Sequence, residues 1–298
     1  MRTMLLTGGS GFLGREIRPM LEQSYRVHTL GLKDSDDMKV DLATTVPQLD
    51  ACYDVVLHAA GKAHLVPRTE KERQLFFDVN YQGTVNLCKA LEHSGIPHSF
   101  IFISTTAVYG CESGVDIAED MPLKGISSYA RSKIMAESYL QEWCGAHGCR
   151  LGILRPSLLA GHDAPGNIGS MVDGIRRGAF WNIAGGTARR SILLAKDIAR
   201  VSMPLIEKGG IYNVCDSYSP TFEEIASSIA HQLGRRRPRS IPFWLARIMA
   251  KAGDILGPCV PINSARLAKM TQSLTFSNEK ARHELGWEPL DVLTNFRI

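Results

Sequence analysis

The first fourteen residues constrain the chain most. Met4-Leu5-Leu6 leads into Thr7-Gly8-Gly9-Ser10-Gly11-Phe12-Leu13-Gly14, and a helical apolar spacing continues through Ile17 and Leu21. The order is strand, glycine turn, helix start. Gly8 can take a tight turn that a Cβ would hinder, Gly11 lets the backbone approach a pyrophosphate, and Gly14 lets the helix pack near the strand. The helix N-terminus offers free N–H groups and the positive end of its dipole to phosphates. Glycines alone carry little weight. In this context Gly8, Gly11, Phe12 and Leu13 read as a dinucleotide cradle rather than an ordinary glycine-rich turn.

Strand-like and helix-like segments then alternate. Strands are expected at 2–7, 26–30, 54–60, 100–104 and 150–154, and helices at 12–22, 70–93 and 127–147, with a polar loop at 31–39. Alternation of this kind implies an α/β fold, a Rossmann-type doubly wound parallel sheet. After Pro156 the pattern changes. Residues 161–169 read as a glycine-rich loop, 191–194 and 211–214 as strands, and 197–207, 222–233, 243–256, 264–270 and 278–285 as helices. The expected organisation is a dinucleotide-binding domain over 1–160, rejoined by 190–215. A smaller, interleaved C-terminal substrate lobe comprises 161–189 and 216–298.

With 298 residues, 44% hydrophobic and 21% charged, the chain can bury a sizeable core. No apolar run approaches the ~18 residues that span a bilayer, and the N-terminus runs straight into strand and turn, so a cytoplasmic protein without a signal peptide is expected. Seven cysteines lack a C-x-x-C pair. The closest, Cys144 and Cys149, stand five apart, and all seven read as reduced. No His/Cys cluster has metal spacing. The densest positive run, Arg235-Arg236-Arg237-Pro238-Arg239, lacks interleaved aromatics, so no nucleic-acid partner is expected. It reads as a solvated loop, with an arginine facing a substrate phosphate as the alternative.

Tyr129 and Lys133 stand at i and i+4, on one face of the 127–147 helix. A free phenol titrates near ten, and a nearby ammonium favours its phenolate, as a tyrosine acid/base requires. The apolar strand before it ends in Ser104-Thr105-Thr106-Ala107-Val108-Tyr109-Gly110. A hydroxyl at the C-terminal end of a central strand lies where open α/β sheets bind ligands. Each signal alone has a bland explanation, a solvated tyrosine or a strand-end cap. Their joint occurrence downstream of the glycine turn points to chemistry.

These segments together resemble the extended short-chain dehydrogenase/reductases that act on nucleotide sugars, over nearly the whole chain. The resemblance assigns the catalytic hydroxyl to Thr105, the proton donor to Tyr129, and its tuning to Lys133. It implies cofactor contacts at Asp41-Leu42 near the adenine, at Ala59 and Ala60 in His58-Ala59-Ala60, at Asn80 in Asn80-Tyr81-Gln82-Gly83-Thr84, and at Pro156 in Leu154-Arg155-Pro156. Substrate contacts are implied at His64, Thr106, Asn167 and Arg190, the last as a diphosphate clamp. The terminal Ala281…Leu285-Gly286-Trp287-Glu288-Pro289 also fits the branch.

Departures narrow the reading. Thr106 and Ala107 stand where 4,6-dehydratases carry an acidic pair, and Leu158 lies near the place where 4-epimerases carry an asparagine. Gly166-Asn167…Met171 and Arg190-Ser191 look more like 4-ketoreductases of 6-deoxy-hexosamine nucleotides. Gly31 occupies the position of the acid that holds the ribose in NAD-specific sites, and Lys33 could pair with a 2′-phosphate. The expectation leans to NADP(H), with Asp34, Asp36 and Asp37 able to supply an NAD contact instead. The leading function is NAD(P)H-dependent reduction of a 4-keto nucleotide sugar in surface polysaccharide synthesis. The alternatives are a 4-epimerase using bound NAD and a catalytically idle dinucleotide-binding sensor. A homodimer is expected through the 70–93 and 127–147 helices, with Leu75, Val79, Leu87, Leu91, Ile134, Tyr139 and Leu140 compatible with such a face.

Overall fold

The computed structural model describes residues 1–256 and 263–298. The first half builds β1 (Thr3–Thr7), α1 (Phe12–Leu21), β2 (Arg26–Gly31), β3 (Met38–Lys39), β4 (Val55–His58), α2 (Glu70–Phe77), α3 (Gly83–Ser94), β5 (Ser99–Ile103), β6 (Gly114–Ile117), α4 (Ser128–His147) and β7 (Arg150–Pro156). There follow β8 (Leu158–Ala160), α5 (Gly166–Arg176), β9 (Asn182–Ile183), β10 (Ile192–Leu194), α6 (Asp197–Lys208) and β11 (Gly210–Val214). The chain continues with α7 (Phe222–Gln232), β12 (Ser240–Ile241), α8 (Phe243–Leu256), α9 (Ser264–Thr271), β13 (Leu274–Phe276), α10 (Glu279–Leu285) and α11 (Val292–Asn295).

Seven strands form one sheet in the order β11-β7-β5-β4-β1-β2-β3, and every pairing is parallel. The order reverses between β1 and β4, which opens a crevice at the strands' carboxyl ends. Period-two geometry sends Met4 and Leu6 to one face and Leu5 to the other. The first pair packs with Ile17, Leu21, Ile198 and Leu205 of α1 and α6. Leu5 packs with Leu87, Leu91, Leu140 and Trp143 of α3 and α4. Covering both faces explains why Val55-Val56-Leu57-His58 and Phe100-Ile101-Phe102-Ile103 are buried throughout rather than alternating.

The expected helix over 70–93 starts on a capping box. Thr69 accepts from Glu72 N–H, and the Glu72 carboxylate accepts from Thr69 N–H. Its middle is a π-helical turn, Asp78–Gln82, between α2 and α3. Such turns are frequent at functional sites, and this one turns Asn80 inward. Leu87, Leu91 and Leu140, compatible by spacing with a subunit interface, belong to the buried core beneath the sheet. The expected loop over 161–169 is in part a helix. Pro165 is the residue before the first turn of α5, where proline is tolerated, and Ile168, Met171, Val172 and Ile175 bury a stripe. The residues of the 31–39 loop include the edge strand β3.

β11 lies beside β7 in the large sheet, whereas β10 pairs with β8 in a separate two-stranded sheet. α5, α7 and α11 share a second core, and α8 and α9 pack around Ile183, Ala246, Ala250 and Leu267. Among the described residues no helix is long and apolar enough to cross a membrane. Cys52, Cys88, Cys111, Cys144, Cys149 and Cys215 are free thiols, and Cys259 lies outside the described residues.

Candidate active site

The glycine turn sits at the end of β1. Gly8 holds φ +72°, its N–H donates to the Leu30 carbonyl, and a Cβ there would lie 2.8 Å from Ala60 N. At Gly14 a Cβ would meet the Gly8 carbonyl oxygen at 2.3 Å, so only glycine lets α1 approach this closely. Gly11 precedes the first turn of α1 without a side-chain cap, which leaves the N-terminal N–H groups of that helix to face a ligand. This cradle of close-packed backbone with an open helix end fits a dinucleotide pyrophosphate. Gly8, Gly11, Phe12 and Leu13 are the residues that would hold it. The next strand end is braced from behind. Thr84 Oγ donates to the Asn80 carbonyl, so it accepts from His58 Nε2–H, and the His58 Nδ1 then accepts from Thr7 Oγ at 2.6 Å. Thr7 Oγ in turn accepts from Ala60 N–H. Burial holds the His58 imidazole neutral, down to about 3, with the Lys133 charge adding to the effect.

At the end of β2, Gly31 leaves space that Asp36 fills from the following loop. A Cβ on Gly31 would lie 2.3 Å from an Asp36 carboxylate oxygen. That oxygen, Oδ2, accepts from Ser10 Oγ at 2.7 Å and from Lys33 N–H at 3.1 Å. Its twin Oδ1 is buried without a hydrogen-bond partner. The Lys33 side chain is exposed. Gly9, Ser10, Arg15, Arg18, Lys33 and Ser35 line a cavity of ≈ 470 Å³ here. On the adenine side, Asp41 is exposed and caps a turn through Ala43 N–H, and Leu42 is buried, its carbonyl taken by Asn86.

Tyr129 and Thr105 meet at the end of β5. Ser127 caps α4 by accepting from Ala130 N–H, which puts Tyr129 in the first turn, its ring 6.1 Å from that of Phe76. Burial pushes the Tyr129 phenol up, and its hydrogen bond with Thr105 pulls it back. The Lys133 ammonium donates to the Ile103 carbonyl at 2.8 Å and lies 4.5 Å from the Phe102 ring centre. Burial brings it down to about 8, while the Glu137 carboxylate pulls the other way. So i,i+4 spacing gathers the pair on one face, but in this structure the lysine reaches the strand end and the phenol is raised, not lowered. Asn80 is saturated internally. Its side-chain oxygen accepts from Lys62 N–H at 2.7 Å, and its NH2 donates to the Lys62 carbonyl and to Ser132 Oγ. It clamps the segment after β4 to α4.

Glu137 and Arg155, unremarked in the sequence reading as a pair, form the densest buried polar contact. Arg155 Nη2 and Nε donate to the two Glu137 oxygens at 2.6 and 3.1 Å, and Nη1 donates to Tyr109 Oη at 3.0 Å. Ser104 Oγ also donates to Glu137, and Tyr109 Oη donates to Asn213. A signal existed. Glu137 lies one further turn along the Tyr129–Lys133 face, and Arg155 opens the Arg155-Pro156 strand end.

Of the substrate-side candidates, Thr106 is buried in the 3₁₀ turn after β5 and Asn167 is exposed on the first turn of α5. His64, exposed and with φ +57°, puts its ring where a Cβ on Gly166 would stand 2.4 Å from Nδ1, so these two distant segments meet. Burial lowers the His64 imidazole. Arg190 is turned inward. Its guanidinium donates to the carbonyls of Arg189, Gln272 and Lys269, so it caps the C-terminus of α9, and it stacks 5.4 Å from the Phe222 ring centre. Pro156 is buried at the end of β7 beside Val214.

A family model described as the NAD dependent epimerase/dehydratase family matches residues 4–215. The chain belongs to this family. The family is dependent on a nicotinamide dinucleotide, and its members include nucleotide-sugar epimerases and reductases. Among curated relatives, the N-acetyl-alpha-D-glucosaminyl-diphospho-ditrans,octacis-undecaprenol 4-epimerase of Escherichia coli O157:H7 is 27% identical over 305 residues, 95% of this chain and 89% of that protein. The GDP-6-deoxy-D-mannose reductase of Pseudomonas aeruginosa is 27% identical over 251 residues, 76% of this chain and 79% of that protein. Among solved structures, RMD from Pseudomonas aeruginosa complexed with NADPH superposes with a TM-score of 0.73 at 22% identity, covering 99% of this chain and 96% of that one. The Thermus thermophilus UDP-glucose 4-epimerase complexed with NAD gives 0.73 at 23%, covering 96% and 94%. Both share the sheet order's α/β architecture.

Proposed function

We propose that the protein reduces the 4-keto group of a nucleotide-diphosphate sugar, with Tyr129 as the proton donor. The observation that carries this is the Tyr129–Thr105 hydroxyl pair at the carboxyl end of β5, with Lys133 one turn further along α4. When bound, the nicotinamide supplies the hydride. Tyr129 gives its proton to the keto oxygen as negative charge develops there, and Thr105 donates a hydrogen bond to the same oxygen. With its ammonium brought down to about 8, Lys133 is charged at neutral pH, and from one turn away on the same helix face that charge would favour the tyrosinate left behind. Thr106 and Ala107 supply no carboxylate for a dehydration. His64 and the Gly166-Asn167 turn would face the sugar. Arg190 keeps Nε–H and one Nη2 hydrogen for a diphosphate.

NADPH is the cofactor that suits the ribose end. Arg15 and Lys33 line the cavity there and have no carboxylate partner among the described residues, whereas Arg18 is matched by Glu22 at 2.6 Å. Asp36 spends Oδ2 on Ser10 and Lys33 and leaves Oδ1 without a partner, so it is the group that would meet ribose hydroxyls if NAD were the cofactor instead. A second reading, 4-epimerisation with retained NAD, draws on the Escherichia coli relative that spans 95% of the chain and is named for a sugar carried on a lipid diphosphate.

Cofactor stoichiometry separates the two. The reductase consumes one NADPH per 4-keto sugar and purifies largely free of cofactor. Co-purified NAD with turnover needing no added cofactor would establish the epimerase. A sensor would instead keep all its cofactor-linked behaviour in Tyr129→Phe. The assembly that accompanies this reading is a homodimer through the outer sides of α2 and α4, and light scattering at micromolar concentration tests it against the 32.8 kDa monomer.

A further inference from the structure

Over 243–255 the helix α8 buries only small residues. Ala246 and Ala250 pack against Ile183 and Leu267, one turn apart on one side of the helix. At ~100° per residue, Trp244, Ile248 and Ile255 fall within roughly 40° of one another on the opposite side. They are 65%, 59% and 86% exposed, and Leu245 and Met249 widen the apolar band. Solvent exposure of a tryptophan and two isoleucines on one stripe is not needed to build the lobe, since the alanine side already does that.

The stripe is flanked mostly by positive charge, and the single carboxylate of α8, Asp254, is tied to Ser264. Arg247 and Lys251 are exposed on its flank. The loop that enters α8 carries Arg235, Arg236, Arg237 and Arg239, all exposed, and only three residues separate Arg239 from Phe243, a span of at most about 14 Å. Among the described residues none of these six cations forms an ion pair. The bare apolar stripe and the unmatched cations therefore belong to one continuous stretch of chain, 235–255. A second copy packed face to face would bring like charges together. A bilayer rich in anionic phospholipid matches both features. The aromatic and aliphatic side chains enter the headgroup boundary, and the guanidinium groups meet the phosphates.

We propose that α8 and the Arg235–Arg239 loop form a peripheral membrane-docking surface for an anionic phospholipid bilayer. No helix need cross the bilayer for this, and the inference does not depend on which reaction Tyr129 performs.

Sedimentation of the full chain with phosphatidylglycerol–phosphatidylcholine vesicles, and with phosphatidylcholine alone, tests the proposal. The protein should partition to the anionic vesicles, weakly or not at all to the neutral ones, and progressively less as salt rises. Trp244 emission should shift to the blue on binding. The double variant Trp244→Ser/Ile248→Ser should bind at least tenfold more weakly, with an unchanged circular dichroism spectrum and thermal midpoint. Arg235→Ser/Arg236→Ser/Arg237→Ser should lose roughly a hundredfold, at the usual contribution of each cation near an anionic surface. Absence of binding to anionic vesicles, or equal binding by both variants and the parent, would overturn the proposal. So would a fall in mass on light scattering for Trp244→Ser/Ile248→Ser, because the stripe would then be a contact between copies.

Discussion

Glu137→Gln tests whether the polar group behind the proposed catalytic pair is a structural and electrostatic anchor. The carboxylate and the Arg155 guanidinium are 1% and 4% exposed and share two hydrogen bonds. Burial works against the Arg155 charge, and Glu137 more than offsets it. A glutamine can still accept from Nε, but its NH2 must face a donor at the other contact. An uncompensated buried charge costs about 3–5 kcal/mol, and the retained acceptor keeps the loss near the lower end, ~3 kcal/mol. With a urea slope of ~3 kcal/mol/M for a chain of this size, the unfolding midpoint should fall by about 1 M. A second readout concerns Lys133. Glu137 is the group that opposes the burial-driven fall of the ammonium to about 8. Without it the ammonium is lost at lower pH, so the alkaline limb of the pH–rate profile should move toward neutrality. The double variant Glu137→Leu/Arg155→Met removes both charges and should recover most of the stability without restoring that limb. A midpoint change under about 0.2 M together with an unmoved alkaline limb would refute the reasoning.

Tyr129→Phe should lower kcat by on the order of a hundredfold or more while NADPH affinity, read by calorimetry, stays within about twofold. Lys133→Met should abolish turnover yet stabilise the fold. The folded-state pKa of about 8 lies below the ordinary 10.5, so the charged lysine carries a penalty that is full below pH 8 and fades between 8 and 10.5. Removing about 3 kcal/mol of penalty and about 1 kcal/mol of hydrogen bond to Ile103 should raise stability by about 2 kcal/mol at pH 7, and in urea titrations the gain should vanish before pH 10.5, above which the variant is the less stable. Arg190→Ala should uncap α9 and cost about 1–3 kcal/mol in thermal unfolding. It should also weaken nucleotide-diphosphate binding by roughly 1.5–3 kcal/mol if the remaining N–H groups serve the substrate, and equal affinity would leave only the capping role. Lys33→Ala should lower NADPH affinity by roughly tenfold and leave NADH affinity unchanged, as measured by fluorescence titration.

What was legible in the sequence is what short-range geometry dictates. The glycine turn, the buried strands and the i,i+4 pair each follow from local spacing, so their elements fall within a residue or two of expectation. The π turn at Asp78–Gln82 was not legible, because a helix with one extra residue per turn keeps an apolar pattern almost unchanged over 70–93. Helix α5 was hidden by Pro165 and two glycines, which punctuate a loop and a helix start equally well. Side-chain direction was the harder matter. Position before a strand aimed Arg190 at the cleft, but the carbonyls of α9, some eighty residues later, supply nearer acceptors. Gly31 read as a missing acid, yet the five-residue loop after it returns Asp36 to the same space. The first outcome depends on a contact between distant segments, and the second on the path of a short loop that Ser10 holds by its bond to Asp36, neither of which spacing encodes.

The placement of charge around the site follows one physical pattern. Lys133, Glu137, Arg155, Tyr109 and Asn213 form a buried polar group behind the carboxyl ends of β5, β7 and β11, and each is satisfied by another or by a backbone carbonyl. A buried ammonium destabilises the fold, and a buried carboxylate two turns from Tyr129 is tolerated only with a guanidinium beside it. The proposed chemistry at Tyr129 needs the ammonium to stay charged in a dry setting, and Glu137 works in that direction by opposing the fall that burial causes. The Glu137–Arg155 pair is therefore better understood as a condition for keeping Lys133 protonated than as a source of stability. Hence the paired prediction that Lys133→Met gains stability and loses turnover, whereas Glu137→Gln loses the first and shifts the pH range of the second.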